Sequence, residues 1–570
     1  MTAQPDNLVT VFRERIATNG DTPTIAFYDR AGRSWRSSSQ AAFLRRAATL
    51  SQRLAGAGAA RGVPVIVACA APEAALLGFV GAVFVGAVPA ILPIRPTFDT
   101  RQAIGERITA TVAFLGPETI VLAEERDGRE LIPPAVLERT HFFRPADLAE
   151  AADLGAALPA AAPEDTLHVQ LTSGSTGAGK GVVVTHANVM ANAAAVRDRT
   201  QMTAHDSIVS WLPLYHDMGL GMAFISLLTG FDVYFMRPFD FLADPQLWLR
   251  TISEKRATIG VGPNFSYDFI TKRFVDGAGP DVDLSAWRLA FCGAEPISAA
   301  TIRAFYDRFT PYGLRPSVFT PCYGLAEATL AATLIDGRAA WRSIVVSRPA
   351  LTRLGKVEYA DADAGEPAAS IEVVALGPAV DGLAIALVDE VGGRIGDEMV
   401  CGEVLITGTS VAAGWLAEGG VVQPFPPEGL HTGDIGFFEG GDLFVVERAK
   451  NIIIRNGQNY SAQVLEQTLA ELGGVSVDDV LVLDRDILHG RGLTGVIEVD
   501  KRRDPQAVLE ALVAGAARFD PPLEALVAVR RGILPQTTSG KKRHLAVREA
   551  LNAGTLRIVA QRELSGARRP

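Results

Sequence analysis

The 570-residue sequence predicts an α/β protein, with a large N-terminal domain of layered, mostly parallel sheets, a β subdomain, and a small mobile α+β C-terminal domain. Three observations carry this prediction. Between about residues 60 and 335, short β-branched or apolar runs (63–67, 120–122, 208–211, 233–236, 258–261 and 289–291) alternate with amphipathic helical stretches. Such a pattern indicates parallel strands covered on both faces. Several runs end in turns rich in functional groups, as in FCGAEP at 291–296, and ligands of open α/β sheets collect at the carboxyl ends of strands. Finally, 570 residues exceed one compact domain and suit a large body with a smaller partner.

Composition narrows the class. Hydrophobic residues make up 48% and charged residues 21%, a globular balance with ample core material. A net charge of −10 argues against nucleic-acid binding. Cys69, Cys292, Cys322 and Cys401 lie far apart with no C-x-x-C pair, so they are expected to be small buried residues of a reducing compartment. The N-terminus meets charge too early for a signal peptide. Residues 74–94 are uncharged and about long enough to span a bilayer. Gly78, Gly81, Gly86, Pro89 and Pro93 punctuate them, predicting a buried helix ending near Gly86 and a strand at 88–92. A cytoplasmic protein without membrane insertion is expected.

Along the chain, the first chemical feature is LTSGSTGAGKGVVVTH at 171–186, a Gly/Ser/Thr loop framed by the apolar runs 168–171 and 182–184. Its glycines let backbone N–H groups turn inward, and Ser173, Ser175, Thr176 and Lys180 add donors for polyphosphate. Gly174, Gly179 and Lys180 fit the G-x-x-x-x-G-K spacing of a Walker loop. The next residue is Gly181, so the magnesium-binding hydroxyl of that loop is missing. WLPLYHDMGL follows at 211–220, then FCGAEP, then YGLAEAT at 323–329. After Arg342 the texture changes. Residues 345–370 are Ala/Asp/Glu-rich with weak periodicity, a candidate insertion; β-like runs at 371–374, 383–388 and 403–407 predict a β subdomain over 371–447, closed by 443–446. HTGD stands at 431–434 and RAK at 448–450. A new unit begins there, with a helix-like stretch at 462–472 and LPQTTSGK at 534–541. With no repeat and no long linker, the domains are drawn at 1–447 and 448–570, joined by a hinge near Lys450.

The six motifs that follow the loop, in this order, resemble the adenylate-forming enzymes, the superfamily of acyl-CoA ligases, luciferases and peptide-synthetase adenylation domains. WLPLYHDMGL, PNFSYD at 263–268, FCGAEPIS and CYGLAEATL look like its fatty acyl-AMP ligase branch. The resemblance implies ATP-dependent activation of a fatty acid to acyl-AMP with loss of pyrophosphate. The acyl group then passes to the phosphopantetheine thiol of a holo acyl carrier protein. It also implies that the branch's insertion lies before the β subdomain, where 345–370 stands. No carrier domain with a pantetheine serine follows, so the carrier is expected in trans. The rival within the superfamily is an acyl-CoA or aryl-CoA ligase; outside it, a regulatory binder of adenylates, or a Walker NTPase, which Gly181 disfavours.

The resemblance also assigns roles. Lys541 matches the catalytic lysine that bridges carboxylate and α-phosphate, Glu327 the magnesium ligand, and His216 the gate between adenylate and acyl pocket. Thr172, Ser173, Gly174, Ser175, Thr176, Gly177 and Lys180 would hold the phosphates of ATP. Tyr323 would offer a ring face to adenine, with Gly324 and Ala326 beside it and Gly293, Ala294 and Glu295 along the other side. Asp434 would accept both ribose hydroxyls, helped by Arg448. Taken alone, Lys541 reads as a solvated lysine, Glu327 as a helix N-terminal carboxylate, and Tyr323 and His216 as core. The chain departs from the common pattern at Ala326, where many members carry Thr, and at Gly179, where most carry Pro. The acyl tunnel is expected past 218–224 and 264–269, and Arg530, Arg531, Lys542 and Arg543 form either a carrier-docking cluster or a solvated face.

Overall fold

The computed structural model describes residues 6–17, 23–150, 158–172, 180–277, 282–360, 369–417, 420–455, 458–486, 491–516, 521–535 and 542–564. Its central sheet runs Ala331–Leu334, Phe319–Gly324, Leu289–Cys292, Ile259–Gly262, Ser207–Ser210, Asp232–Phe235, Thr24–Asp29 and Ser34–Ser39. The inner pairs are parallel, and the two outermost pairs are antiparallel. Inner strands such as Leu289–Cys292 are buried along their whole length, as apolar runs covered on both faces must be. The outer strand Ser34–Ser39 reads SWRSSS and faces water with a polar edge. Trp211 falls outside its predicted strand, which ends at Ser210.

A second, wholly parallel sheet joins Val88–Ile91, Pro64–Ala68, Ile120–Glu124 and Thr140–Phe143. The uncharged run at 74–94 resolves into the buried helix Pro72–Phe84 and the strand Val88–Ile91. Gly78 lets that helix lie against the sheet, since a Cβ there would stand 2.9 Å from Leu122 Cδ2. Among the described residues, no helix is long and apolar enough to cross a membrane. All four cysteines are free, and Cys69, Cys292 and Cys401 are buried.

Toward the C-terminus, a five-stranded antiparallel sheet runs Arg394–Ile395, Leu383–Val388, Gly402–Gly408, Leu430–Glu439 and Asp442–Arg448. The predicted run at 371–374 does not join it. It belongs to Ser370–Val374, which pairs with Ser343–Ser347 in a two-stranded sheet of its own. The stretch read as an insertion from residue 345 therefore begins inside a strand. Val346, Leu351 and Val357 from it enter a core cluster with Phe437, Phe444 and Val464; residues 361–368 lie outside the described residues.

Beyond Arg448, Val480–Asp486, Arg491–Val499, Leu523–Arg530 and Ile558–Glu563 form a four-stranded mixed sheet. Leu465, Leu469, Leu509 and Leu512 of the helices Ala462–Gly473 and Pro505–Ala516 cover one face, and Val547 and Leu551 of His544–Asn552 contribute to a second cluster. The helix Ala462–Gly473 also touches the preceding part of the chain. Arg348 reaches Thr468 Oγ1 at 2.8 Å and Glu471 Oε2 at 2.7 Å, and Ser461 N–H donates to the Thr352 carbonyl at 2.7 Å.

Candidate active site

Thr166–Thr172 and Lys180–Thr185 pair antiparallel, with Thr172 opposite Lys180, so the Gly/Ser/Thr loop leaves and re-enters the sheet at one point. A Walker loop opens a helix instead, and this one returns as a strand. Gly181 has a steric reason: a Cβ there would lie 2.7 Å from Val169 Cγ1 and 3.2 Å from both Leu416 and Phe114. The position of the Walker hydroxyl has no room for a side chain. Lys180 Nζ rests 4.8 Å over the Trp415 ring, a cation–π contact. Ser173, Gly174, Ser175, Thr176 and Gly177 lie outside the described residues.

In the five-stranded sheet, the carboxylate of Asp434 is held from both sides. Tyr323 OH donates to Oδ2 at 2.6 Å and Arg448 Nε pairs with Oδ1 at 2.6 Å. The antiparallel register that sets Asp434 opposite Arg448 brings the two together. Asp434 is only 3% exposed, and a buried carboxylate needs such donors. Burial and the neighbouring Asp434 push the Tyr323 phenol well above its ordinary range. The tyrosine ring is mostly covered and packs with Leu325, Ala328 and Ala332.

The strand carrying Tyr323 ends at Gly324, where any Cβ would collide with the Leu330 carbonyl. The chain then doubles back through the three-residue turn Ala326–Ala328, with Leu325 N–H bonded to Leu330 O at 3.0 Å. Ala326 is buried in that turn. Thr329 adopts φ +70°, uncommon for a β-branched residue, and its hydroxyl is tied to Ser410 O at 2.7 Å. This turn presents Glu327, so Glu327 is not a carboxylate at the start of a long helix. Burial raises its pKa, Asp217 and Asp434 add to the rise, and Arg448 opposes it. Among the described residues Glu327 makes no ion pair. Two carboxylates and one guanidinium thus act on it.

The turn after Leu289–Cys292 lies beside the strand that carries Tyr323. Gly293 sits where a Cβ would be 2.9 Å from Cys322 O, and Ala294 adopts φ +66°. Glu295 Oε1 accepts from Phe265 N–H at 2.6 Å, tying the turn to the helix Asn264–Arg273.

Tyr323, near the end of a parallel strand of the central sheet, thus joins the Asp434–Arg448 pair of the five-stranded sheet, with the Glu327 turn following on the same chain. The AMP-binding enzyme family matches residues 12–416 of the chain. This protein is an AMP-binding enzyme. It is 32% identical over 451 residues to the long-chain-fatty-acid–AMP ligase FadD32 of Mycolicibacterium smegmatis, covering 69% of this chain and 70% of that one. To the medium-chain-fatty-acid–[acyl-carrier-protein] ligase JamA of Moorena producens it is 31% identical over 414 residues, 69% of each. A structure from work on fatty acyl-adenylate ligases of E. coli and L. pneumophila superposes with a TM-score of 0.86 at 26% identity, covering 97% of this chain and 99% of that one. An L. pneumophila fatty acyl-adenylate ligase, in complex with acyl adenylate and pyrophosphate, superposes with a TM-score of 0.71 at 26% identity over 99% of each chain. The resemblance to fatty acyl-AMP ligases and the layered α/β fold are both borne out.

In this AMP-binding enzyme the remaining predicted residues are distributed as follows. His216 precedes the helix Asp217–Thr229 as its N-cap, and its Nδ1 lies 2.6 Å from Asp217 Oδ1. Asp217, adjacent in sequence and electrostatically coupled to Glu327, borders a cavity of about 20 Å³ with His168, Gln170, Asn192 and Thr329. His168 was not legible as a candidate. It is buried, its pKa is lowered to about 3 by that burial, and Nδ1 has no hydrogen-bond partner among the described residues. Of the expected tunnel segments, Met218 and Phe224 are buried, while Tyr267 is core, its hydroxyl bonded to Phe291 O at 2.7 Å. A larger groove of about 960 Å³ lies by Asp206, Ser207 and Asp232, where the central strands begin, away from the site.

Lys450 is exposed in the short turn Ala449–Asn451. Lys541 lies outside the described residues. The predicted basic cluster is largely committed to its own surroundings: Arg531 pairs with Asp479 at 3.3 Å, Lys542 Nζ donates to Val480 O at 2.8 Å, and Arg530 donates to Asp500 O at 3.1 Å.

Proposed function

We propose that this enzyme condenses a fatty acid with ATP to give acyl-AMP and pyrophosphate. It then transfers the acyl group to the phosphopantetheine thiol of an acyl carrier protein. The observation that carries the adenylation step is Asp434 held between Tyr323 and Arg448 beside Glu327. A carboxylate with fixed orientation is suited to accept the two ribose hydroxyls, and Arg448 would help to hold the same sugar. Thr172 and Lys180, at the two ends of the phosphate loop, would steer the triphosphate.

Glu327 fits a magnesium ligand. It is a hard oxygen donor among like charges with no resident cation partner among the described residues. Among the described residues no three such side chains are gathered, so phosphate oxygens and water would complete the shell. Magnesium would neutralise the departing pyrophosphate. Lys541 neutralises the charge that develops where carboxylate meets α-phosphate. We assign residues 448–570 to a domain that turns about Lys450, first bringing Lys541 in, then withdrawing it to admit the thiol.

The carrier-protein acceptor is supported by the 31% identity to JamA and by Arg348, which ties 345–370 to the helix Ala462–Gly473. A reading in the cytoplasm accords with it. The test is mass spectrometry of products from dodecanoate, ATP and magnesium, with CoA and holo carrier proteins offered together. Acyl-AMP and acyl-carrier product without acyl-CoA are expected. Abundant acyl-CoA would overturn the acceptor assignment and leave adenylation standing; absence of acyl-AMP would overturn both.

A further inference from the structure

Successive side chains of a strand point to opposite faces, and at the end of Asp442–Arg448 this divides two charges. Arg448 turns to Asp434; Glu447 turns the other way and is 2% exposed. Its carboxylate is nevertheless fully engaged. Oε1 accepts the Arg448 N–H at 2.7 Å. Oε2 accepts Ser461 Oγ at 2.9 Å and Gln463 N–H at 2.7 Å. Ser461 is the N-cap of Ala462–Gly473, where its Oγ also accepts from Val464 N–H at 3.1 Å. The carboxylate therefore sits at the positive end of that helix, on an N–H that has no partner within the helix.

We propose that Glu447 is a positioning residue for nucleotide binding, coupling the ribose-side Arg448 to the N-terminus of the helix Ala462–Gly473. The inference rests on reading Asp434 and Arg448 as ribose contacts. The path is continuous: Asp434, the Arg448 side chain, the Arg448 N–H, the Glu447 carboxylate, then Ser461 and Gln463. A shift of the helix displaces Oε2, and the rigid carboxylate passes that displacement to the backbone of Arg448. The hydrogen bonds from Ser461 and Gln463 toward the ribose side run through Glu447. Loss of the Ser461 hydroxyl should therefore reach nucleotide affinity only while the Glu447 carboxylate is present, which separates this route from the packing of Val464 with Phe437 and Phe444. An ordinary helix cap predicts loss of stability alone.

The experiment uses the full-length protein as wild type, Glu447→Gln, Ser461→Ala and the double variant. AMP affinity is measured by calorimetry, ATP KM and kcat by dodecanoate-dependent pyrophosphate exchange, and Tm alongside. Glutamine keeps the shape but turns an NH2 toward donors, so Glu447→Gln is expected to weaken AMP binding and raise ATP KM by about tenfold. Ser461→Ala should raise both by about threefold, with kcat little changed, and should add nothing in the Glu447→Gln background. Ser461→Ala without effect on AMP affinity, or with the same effect in both backgrounds, overturns the coupling. So does a fall in Tm with unchanged affinity. If the wild type binds AMP but exchanges no pyrophosphate, the functional reading fails while the AMP titrations still decide the role of Glu447.

Discussion

One oxygen atom on Tyr323 is the smallest handle on the site. Tyr323→Phe removes the donor to Asp434 Oδ2 and leaves the ring in its cluster. A hydrogen bond to a charged group is worth roughly 1.5–3 kcal/mol, so ATP KM should rise about tenfold or more, with kcat nearly constant in pyrophosphate exchange. A fall in kcat at constant KM would remove the hydroxyl from nucleotide binding. Glu327 carries a different expectation. Its carboxyl pKa is raised by burial and by Asp217, so protons compete with a cation at higher pH than for a free glutamate. Activity should fall as pH drops through that raised value, and added magnesium should move the acid limb lower; Glu327→Gln should lose at least about 100-fold, since changes merely beside a ligand cost 10–100-fold. Glu124 offers a test of stability alone. Burial and Asp127 push its carboxyl from 4.5 to about 7. The folded state then holds a proton that the unfolded chain has released between these values, so stability falls as pH rises from about 4.5 to 7. Glu124→Gln escapes this loss, and its thermal stability relative to wild type should improve between pH 5 and pH 8. The full gain is on the order of 3 kcal/mol. An equal difference at both pH values would contradict this.

At the scale of elements, two glycines hold the strand ends to their turns. Gly181→Ala forces a methyl onto Val169, Leu416 and Phe114. Overpacking of this kind costs about 1–3 kcal/mol, visible as a lowered Tm. Gly324→Ala meets a backbone carbonyl that cannot rotate away, so the Glu327 turn must move and exchange activity should fall more than stability. Retained activity would show that the turn tolerates displacement. Strand positions and the loop were legible because apolar runs and glycine clusters are local signals. The strand Ser343–Ser347 was not isolated, since its few apolar residues run directly into an Ala-rich stretch whose pairing partner lies beyond it at Ser370–Val374. Asp434 could be named from HTGD, but its bond to Tyr323 joins residues 111 positions apart, and no spacing encodes that. Nor does any motif announce Glu447, whose meaning lies in which face of its strand it occupies.

The whole molecule makes residues 345–370 less dispensable than their composition suggests. Deleting them would remove most of the strand Ser343–Ser347 and the buried side chains of Val346, Leu351 and Val357. Loss of folding is therefore the expected result of such a deletion. Arg348→Met is the sharper instrument: it keeps the buried stem and removes the guanidinium that holds Thr468 and Glu471. If this contact restrains the C-terminal part, the variant should form acyl-CoA where the wild type does not, while acyl-AMP formation at saturating ATP stays within about twofold, since the site's own hydrogen bonds are untouched. Unchanged products would place acceptor choice elsewhere.

The order of the central sheet has a consequence for how the protein is made. Thr24–Asp29 leaves the ribosome well ahead of its inner neighbour, Asp232–Phe235. At roughly 5–20 residues per second the intervening ~200 residues take about 10–40 s to synthesise. Throughout that interval Ile25, Ala26 and Phe27, all buried in the finished molecule, have only the polar strand Ser34–Ser39 to pair with, and an isolated hairpin is marginal in water. The nascent chain thus carries an apolar edge until Asp232–Phe235 has emerged. Yield in a cell will follow how well chaperones shield that edge, and a slower ribosome will lengthen the exposure.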